Sequence, residues 1–302
     1  MSDKSKIEWT DATWNCIRGC SLASTGCKNC YAMKQAHRFS GTGKAFEGLT
    51  HLGPNGPTWT GDIRLMPEKL GDPLRWRRPR RIFVNSMSDM FHPDVPNDYI
   101  DKMFAVMALC QQHTFQVLTK RPERMLDCSQ RITDGLNVGL AHAFANHRPM
   151  PDQDWRWPLP NVWLGTSVEN QPMYDQRIGP LLRTPAAVRF LSVEPMLEYI
   201  DLRMGGMSMP DYSAHNALPK LDWVIVGGES GRGARPFNVA WARSIVRQCK
   251  AAGVACFVKQ LGAKPFESYT DGPFHVELDL KSAKGGDMAW WPADLRVREM
   301  PE

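Results

Sequence analysis

The sequence predicts an α/β fold, a full or partial (β/α) TIM-type barrel of about six to seven units, because strand and helix signals alternate along most of its length. Three observations carry that reading. Short β-branched or aromatic runs recur at Ile82–Asn85, Phe115–Thr119, Val162–Thr166, Val188–Ser192, Trp223–Gly227 and Cys256–Val258. Stretches with helical spacing separate them, at Asp98–Gln112, Glu123–Ile132, Met173–Leu182 and Val239–Ala252, and such alternation implies parallel strands joined by right-handed crossovers. Nearly every apolar run ends in polar groups, and barrel enzymes place their chemistry at the carboxyl ends of strands.

The elements follow in order. Lys6 to Thr10 alternates as a strand would and feeds a cysteine-rich loop. Tyr31 to Phe39 reads as a helix. Residues 41–61, rich in Gly, Thr and Pro without a period, read as loop, and Pro67 to Leu70 as a turn of helix. Residues 137–160 break the alternation and read as a surface insertion; residues 203–219 read as a second excursion. From residue 263 onward a C-terminal extension, with its tail from Asp279, is expected to pack across the barrel. The whole, residues 1–302, is read as one domain with 42% hydrophobic residues to fill a core.

Composition bounds the compartment. No apolar run is long enough to span a bilayer, and Met1 to Lys6 lacks the apolar core of a secretory signal. The expectation is a cytoplasmic protein with no membrane partner. There, eight cysteines suit a metal centre plus scattered core thiols (Cys110, Cys128, Cys249, Cys256) better than disulfides. The net charge of +5 does not by itself announce nucleic acid. Its distribution says more: Arg75-Trp-Arg-Arg-Pro-Arg-Arg81 sets five arginines and a tryptophan in seven positions. That run could grip phosphates and stack on a base, or serve as a solvated lead into the next strand.

The loop from Trp14 to Tyr31 holds Cys16, Cys20, Cys27 and Cys30, threaded through glycine and small polar residues. Thiolates select zinc or iron–sulfur clusters. Four would close a structural zinc site; three around a four-iron four-sulfur cluster leave one iron open to an outside ligand. Other candidates stand at strand ends. Ser86, Ser88, Asp89, Ser167, Glu169, Glu194, Gly227, Gly228 and Glu229 are placed to hold a cofactor, the glycines by letting a ligand approach the backbone. Lys120, Arg121 and Lys259 are placed to neutralise an anionic substrate. Serine and aspartate at such turns also cap helices, the glycines also suit a tight turn, and His92, a lone histidine, reads as structural.

The segments Trp9-Thr-Asp-Ala-Thr-Trp-Asn15, the triplet Cys20, Cys27, Cys30, Phe83-Val-Asn-Ser-Met-Ser-Asp-Met-Phe-His92, Leu118-Thr-Lys-Arg-Pro122, Leu164-Gly-Thr-Ser-Val-Glu-Asn170, Leu191-Ser-Val-Glu-Pro195, Asp222-Trp-Val-Ile-Val-Gly-Gly-Glu-Ser-Gly231 and Phe257-Val-Lys-Gln-Leu-Gly262 together resemble the phage-type three-cysteine-motif family. That family looks like a branch of the radical S-adenosylmethionine superfamily, nearest in style to spore photoproduct lyase. The resemblance covers nearly the whole chain. It implies that Cys20, Cys27 and Cys30 hold a four-iron four-sulfur cluster whose open iron chelates S-adenosylmethionine. Reductive cleavage would give a 5′-deoxyadenosyl radical, used for repair or modification of a nucleic-acid base. Ser86, Ser88 and Asp89 would face the methionine end of the cofactor, Ser167 and Glu169 its ribose. It also implies an electron donor and leaves room for a partner protein. The superfamily usually separates its cysteines by three and then two residues; here the gaps are six and two, and Tyr31 follows the last cysteine. The alternative from another class is a nonenzymatic zinc protein that binds nucleic acid or a phage or host partner.

Overall fold

A computed structural model describes residues 5–54, 56–135, 157–203, 217–268 and 275–302. Nearly all of the expected insertion at 137–160 and of the excursion at 203–219 lies outside the described residues.

The fold is mixed α/β. Seven strands belong to one sheet: β1 (Ala12–Trp14), β2 (Arg81–Val84), β3 (Thr114–Thr119), β4 (Val162–Ser167), β5 (Val188–Val193), β6 (Trp223–Gly227) and β7 (Ala255–Gln260). Their order in the sheet is their order in the chain, and the pairs β1·β2, β2·β3, β5·β6 and β6·β7 are parallel. Sequential parallel order requires every connection to cross in the same sense, which is the topology of a partial (β/α) barrel. Five α-helices are described: α1 (Tyr31–Arg38), α2 (Asn97–Leu109), α3 (Pro122–Gly135), α4 (Gln171–Arg183) and α5 (Val239–Ala252).

The chain divides into two compact units. The first comprises Met1–Ala23, Cys30–Gly165 and Arg183–Ala187; the second comprises Ser24–Asn29, Thr166–Leu182 and Val188–Glu302. In the first, Trp9 packs against Phe83 with ring centroids 4.8 Å apart and Trp14 against Phe115 at 5.8 Å. Helix α2 buries Tyr99, Ile100, Met103, Phe104, Val106 and Met107, the i, i+3, i+4, i+7 recurrence of a core-facing stripe. In the second, Trp223 packs between Phe190 and Phe257. Helix α5 starts where Asn238 accepts a bond from the Ala240 amide and ends at Gly253 with φ +69°, the side-chain cap and left-handed stop that fix helix ends.

Two expectations are corrected. Lys6 to Thr10 is not a strand; the first strand is Ala12–Trp14, whose buried Ala12 and Trp14 alternate with Thr13. Residues 41–61 are not all loop, for Thr50–Gly53 and Gly56–Trp59 pair as a hairpin whose Trp59 is buried against Ala32, Met33, Ala36 and Leu49. The C-terminal tail lines the edge strand of its own unit: Val258 N–H donates to Val297 O, Glu299 Oε2 accepts from Cys256 N, and Arg298 lies over the Phe257 ring. That covers main-chain groups that an open edge would leave for another chain to pair with.

Candidate functional site

Of the eight cysteines, Cys16, Cys110, Cys128, Cys249 and Cys256 are buried, and Cys20, Cys27 and Cys30 are partly exposed. Cys16 lies in the first unit, fully buried, its thiol donating to Oδ1 of Asn85 at 3.8 Å. Burial pushes that thiol far above its ordinary range, which favours its protonated form. Cys20 and Cys30 pack beside the cluster of Ala32, Met33, Ala36, Leu49 and Trp59.

In the first unit the strand-end groups hold the loop residues that precede Ser24. Asp89 Oδ1 accepts from Thr119 Oγ1 at 2.7 Å, and its Oδ2 from Lys120 N at 3.1 Å and Arg121 Nη1 at 2.8 Å. Arg121 in turn donates through Nη2 to Ser21 Oγ at 2.8 Å and Ser21 O at 3.1 Å. His92 Nδ1 accepts from Asp94 N, which assigns the ring proton to Nε2, 2.7 Å from Ser21 Oγ. Burial, followed by the Arg121 charge, holds His92 below its ordinary range and therefore neutral. Cys20 is thus flanked by a residue with three hydrogen bonds to Arg121 and His92. Ser86 Oγ donates to Asn15 Oδ1 and its carbonyl accepts from Tyr31 Oη at 2.7 Å; Ser88 Oγ donates to Ile17 O. These candidates, expected to meet a cofactor, are engaged by the chain itself.

Asn85 was not singled out from sequence as a site residue. It ends β2 with φ +57°, buried, and its Nδ2 has no partner among the described residues. Asparagine is among the few side chains that tolerate this conformation.

In the second unit the segment Ser24–Asn29 carries Cys27 on a single 3₁₀ turn, Thr25–Cys27. Glu169, with no exposed surface, accepts from Gly26 N at 3.1 Å and pairs with Arg177 at 3.3 Å. Glu229 accepts from Asn29 Nδ2 at 2.8 Å and from Arg235 Nη2 at 2.6 Å, Nε at 3.1 Å and its backbone N–H at 2.9 Å. Burial pushes the Glu229 carboxyl up, but the bonds from Arg235 and Asn29 outweigh it and hold the pKa below its ordinary value. Arg235 also donates to Thr25 O at 3.0 Å. Asn29, Arg177 and Arg235 went unnoticed in the sequence; only the tertiary pairing marks them.

Gly227 and Gly228 both stand where a side chain would crowd the chain's own atoms. A Cβ on Gly227 would stand 2.6 Å from Glu194 Oε1, and one on Gly228 2.8 Å from Leu261 O. Glu194 pairs with Lys259 at 3.2 Å, both partly exposed, and Ser167 offers its carbonyl to Arg177.

The arginine run precedes β2, at the amino end of that strand in the first unit. Arg75 pairs with Asp72, and Arg81 with Asp11 at 3.0 Å. Arg80 lies over the Trp76 ring at 5.1 Å, and His113 meets that ring edge-on, so the tryptophan expected to stack on a base already has partners. Arg77 and Arg78 are exposed and make no bond or ion pair among the described residues.

Among the described residues no group of three or more His, Cys, Asp or Glu side chains converges as a site for one metal ion. Four thiolates on one zinc must converge on a point. Three thiolates on a cluster each bind a different iron, so they need not meet at one point but must ring the same cluster. The donor set of three partly exposed thiols, with Cys16 withdrawn, fits the second requirement in its chemistry. No helix among the described residues is long and apolar enough to cross a membrane. The model of a family described as "Protein of unknown function (DUF5131)" matches residues 4–285. No curated protein and no solved structure matches the chain.

Proposed function

We propose that this chain, which belongs to the DUF5131 family, is a radical S-adenosylmethionine enzyme that holds a four-iron four-sulfur cluster through Cys20, Cys27 and Cys30 and acts on a nucleic-acid base. One observation carries the reading: these three are the partly exposed thiols, whereas Cys16 is sealed in the core. When bound, the cluster and S-adenosylmethionine would supply one-electron cleavage of a sulfonium bond, chemistry that no side chain offers.

The chain's own residues would do the rest. Asp89 and Arg121 fix Ser21 beside Cys20. Glu194 and Lys259 form a carboxylate–ammonium pair with residual exposure at strand ends of the second unit, a charge pattern that suits the zwitterionic end of an amino-acid cofactor. Arg77 and Arg78 favour a polyanionic substrate, gripped through phosphates. An electron donor is required, and a partner protein could deliver it.

Anaerobic purification and reconstitution would test the proposal. The expected product is a brown protein with iron and sulfide in equal amounts, forming 5′-deoxyadenosine from S-adenosylmethionine with a reductant. A colourless protein carrying a single zinc would overturn it in favour of a nonenzymatic zinc protein that binds nucleic acid or another partner.

A further inference from the structure

Glu169 and Glu229 lie 60 residues apart in sequence and well over a hundred from Gly26 and Asn29, yet both carboxylates end on the six-residue segment that carries Cys27. Each is locked from behind by an arginine of the same unit, Arg177 and Arg235. Gly26 admits the first contact because it has no side chain: a Cβ there would stand 3.0 Å from Glu169 Oε2. The second contact is doubled, since Arg235 donates to Glu229 and to Thr25 O, while Asn29 Nδ2 reaches both Glu229 and Gly233 O. Thr25, Gly26 and Asn29 are therefore tied on both sides of Cys27 by charge-assisted bonds, which are stronger and more directional than neutral ones.

We propose that Glu169 and Glu229 are positioning residues that fix the backbone of Thr25–Asn29, and with it the direction of the Cys27 thiol, rather than groups that touch a cofactor. The inference rests on the reading of Cys27 as a ligand only for its purpose; the clamp itself is a property of the metal-free chain. All four oxygens already accept at least one bond or ion pair from Gly26, Arg177, Asn29 or Arg235, so a ribose or an amine would have to share them with the groups that hold the segment.

The test uses the full-length, metal-stripped protein and compares wild type with Glu229→Gln, Glu169→Gln and Asn29→Ala. Hydrogen exchange is followed across Ser24–Asn29, and alkylation of Cys27 and Cys20 by iodoacetamide is timed by mass spectrometry. Loss of one charged bond should open the segment about tenfold more often, seen as faster exchange there and faster alkylation at Cys27 with Cys20 unchanged. Asn29→Ala, which removes an amide at the loop rather than a buried charge, keeps the test open if Glu169→Gln fails to fold. Unchanged exchange and alkylation in folded Glu229→Gln and Asn29→Ala would overturn the clamp. A wild-type protein that binds no iron would leave these labelling results standing and would count against the cluster alone, so the two failures are separable.

Discussion

The Cys16 thiol faces the side-chain oxygen of Asn85 at 3.8 Å, two buried groups meeting where β1 and β2 end. One sulfur of the four in the loop is thereby spent on the core. Replacing Cys16 by alanine should leave metal content unchanged and cost about 1–2 kcal/mol of stability through the space left behind. Replacing Cys27 by serine should do the reverse. Iron or zinc analysis of the two variants, with thermal melting, checks this; loss of metal from Cys16→Ala would make it a ligand.

Gly19 opens the turn into Cys20 with φ +86°, and a Cβ there would run into the carbonyl oxygen of Asp62. Backbone on one side and a left-handed conformation on the other leave no cheap escape. Gly19→Ala should destabilise by about 2 kcal/mol or more, measured by denaturant unfolding; a neutral substitution would show that the turn relaxes freely.

Gly227 is tight for a different reason, because its neighbour is the flexible carboxylate of Glu194. Gly227→Ala should cost about 1–3 kcal/mol, and Glu194→Ala should relieve part of it. A double-mutant cycle reads the coupling, and additive effects would rule out the contact.

His92 and His113 are both held below the ordinary value of 6.5, chiefly by burial. Their contribution to stability is complete above about pH 6.5. As pH falls below it, the unfolded chain takes up protons that the folded chain refuses, so stability drops. Melting temperature should decline from pH 7 toward pH 5, and His113→Asn should flatten the decline. An identical slope in that variant would exclude His113 as a source.

Much of this was legible in the sequence, and the parts that were not share a cause. The strands β2 to β7 and helices α2 to α5 announce themselves because their apolar period runs long enough to fix a type, and α5 matches its expected bounds of Val239–Ala252. Ala12–Trp14 was displaced because three residues carry no period of their own. At strand ends, residue type said "polar" but not for whom. Glu169 and Glu229 look alike in sequence whether they face a cofactor or Gly26 and Asn29, and only partners brought from afar decide. The spacing of the four loop thiols is local and visible in the sequence; what separates Cys16 from the other three is burial, which spacing does not encode.

Strand β2 sets a ruler inside the first unit. Its four residues, Arg81–Val84, span about 13 Å at roughly 3.3 Å each, with the exposed cations Arg77 and Arg78 before its start and Asn85 to Asp89 after its end. On the proposed reading, a polynucleotide gripped by its phosphates at the near end would extend through about four steps of 3.4 Å before a base reached the far one. On that proposal, trimers should compete for binding without being processed, and a ladder of oligonucleotide lengths would reveal the threshold.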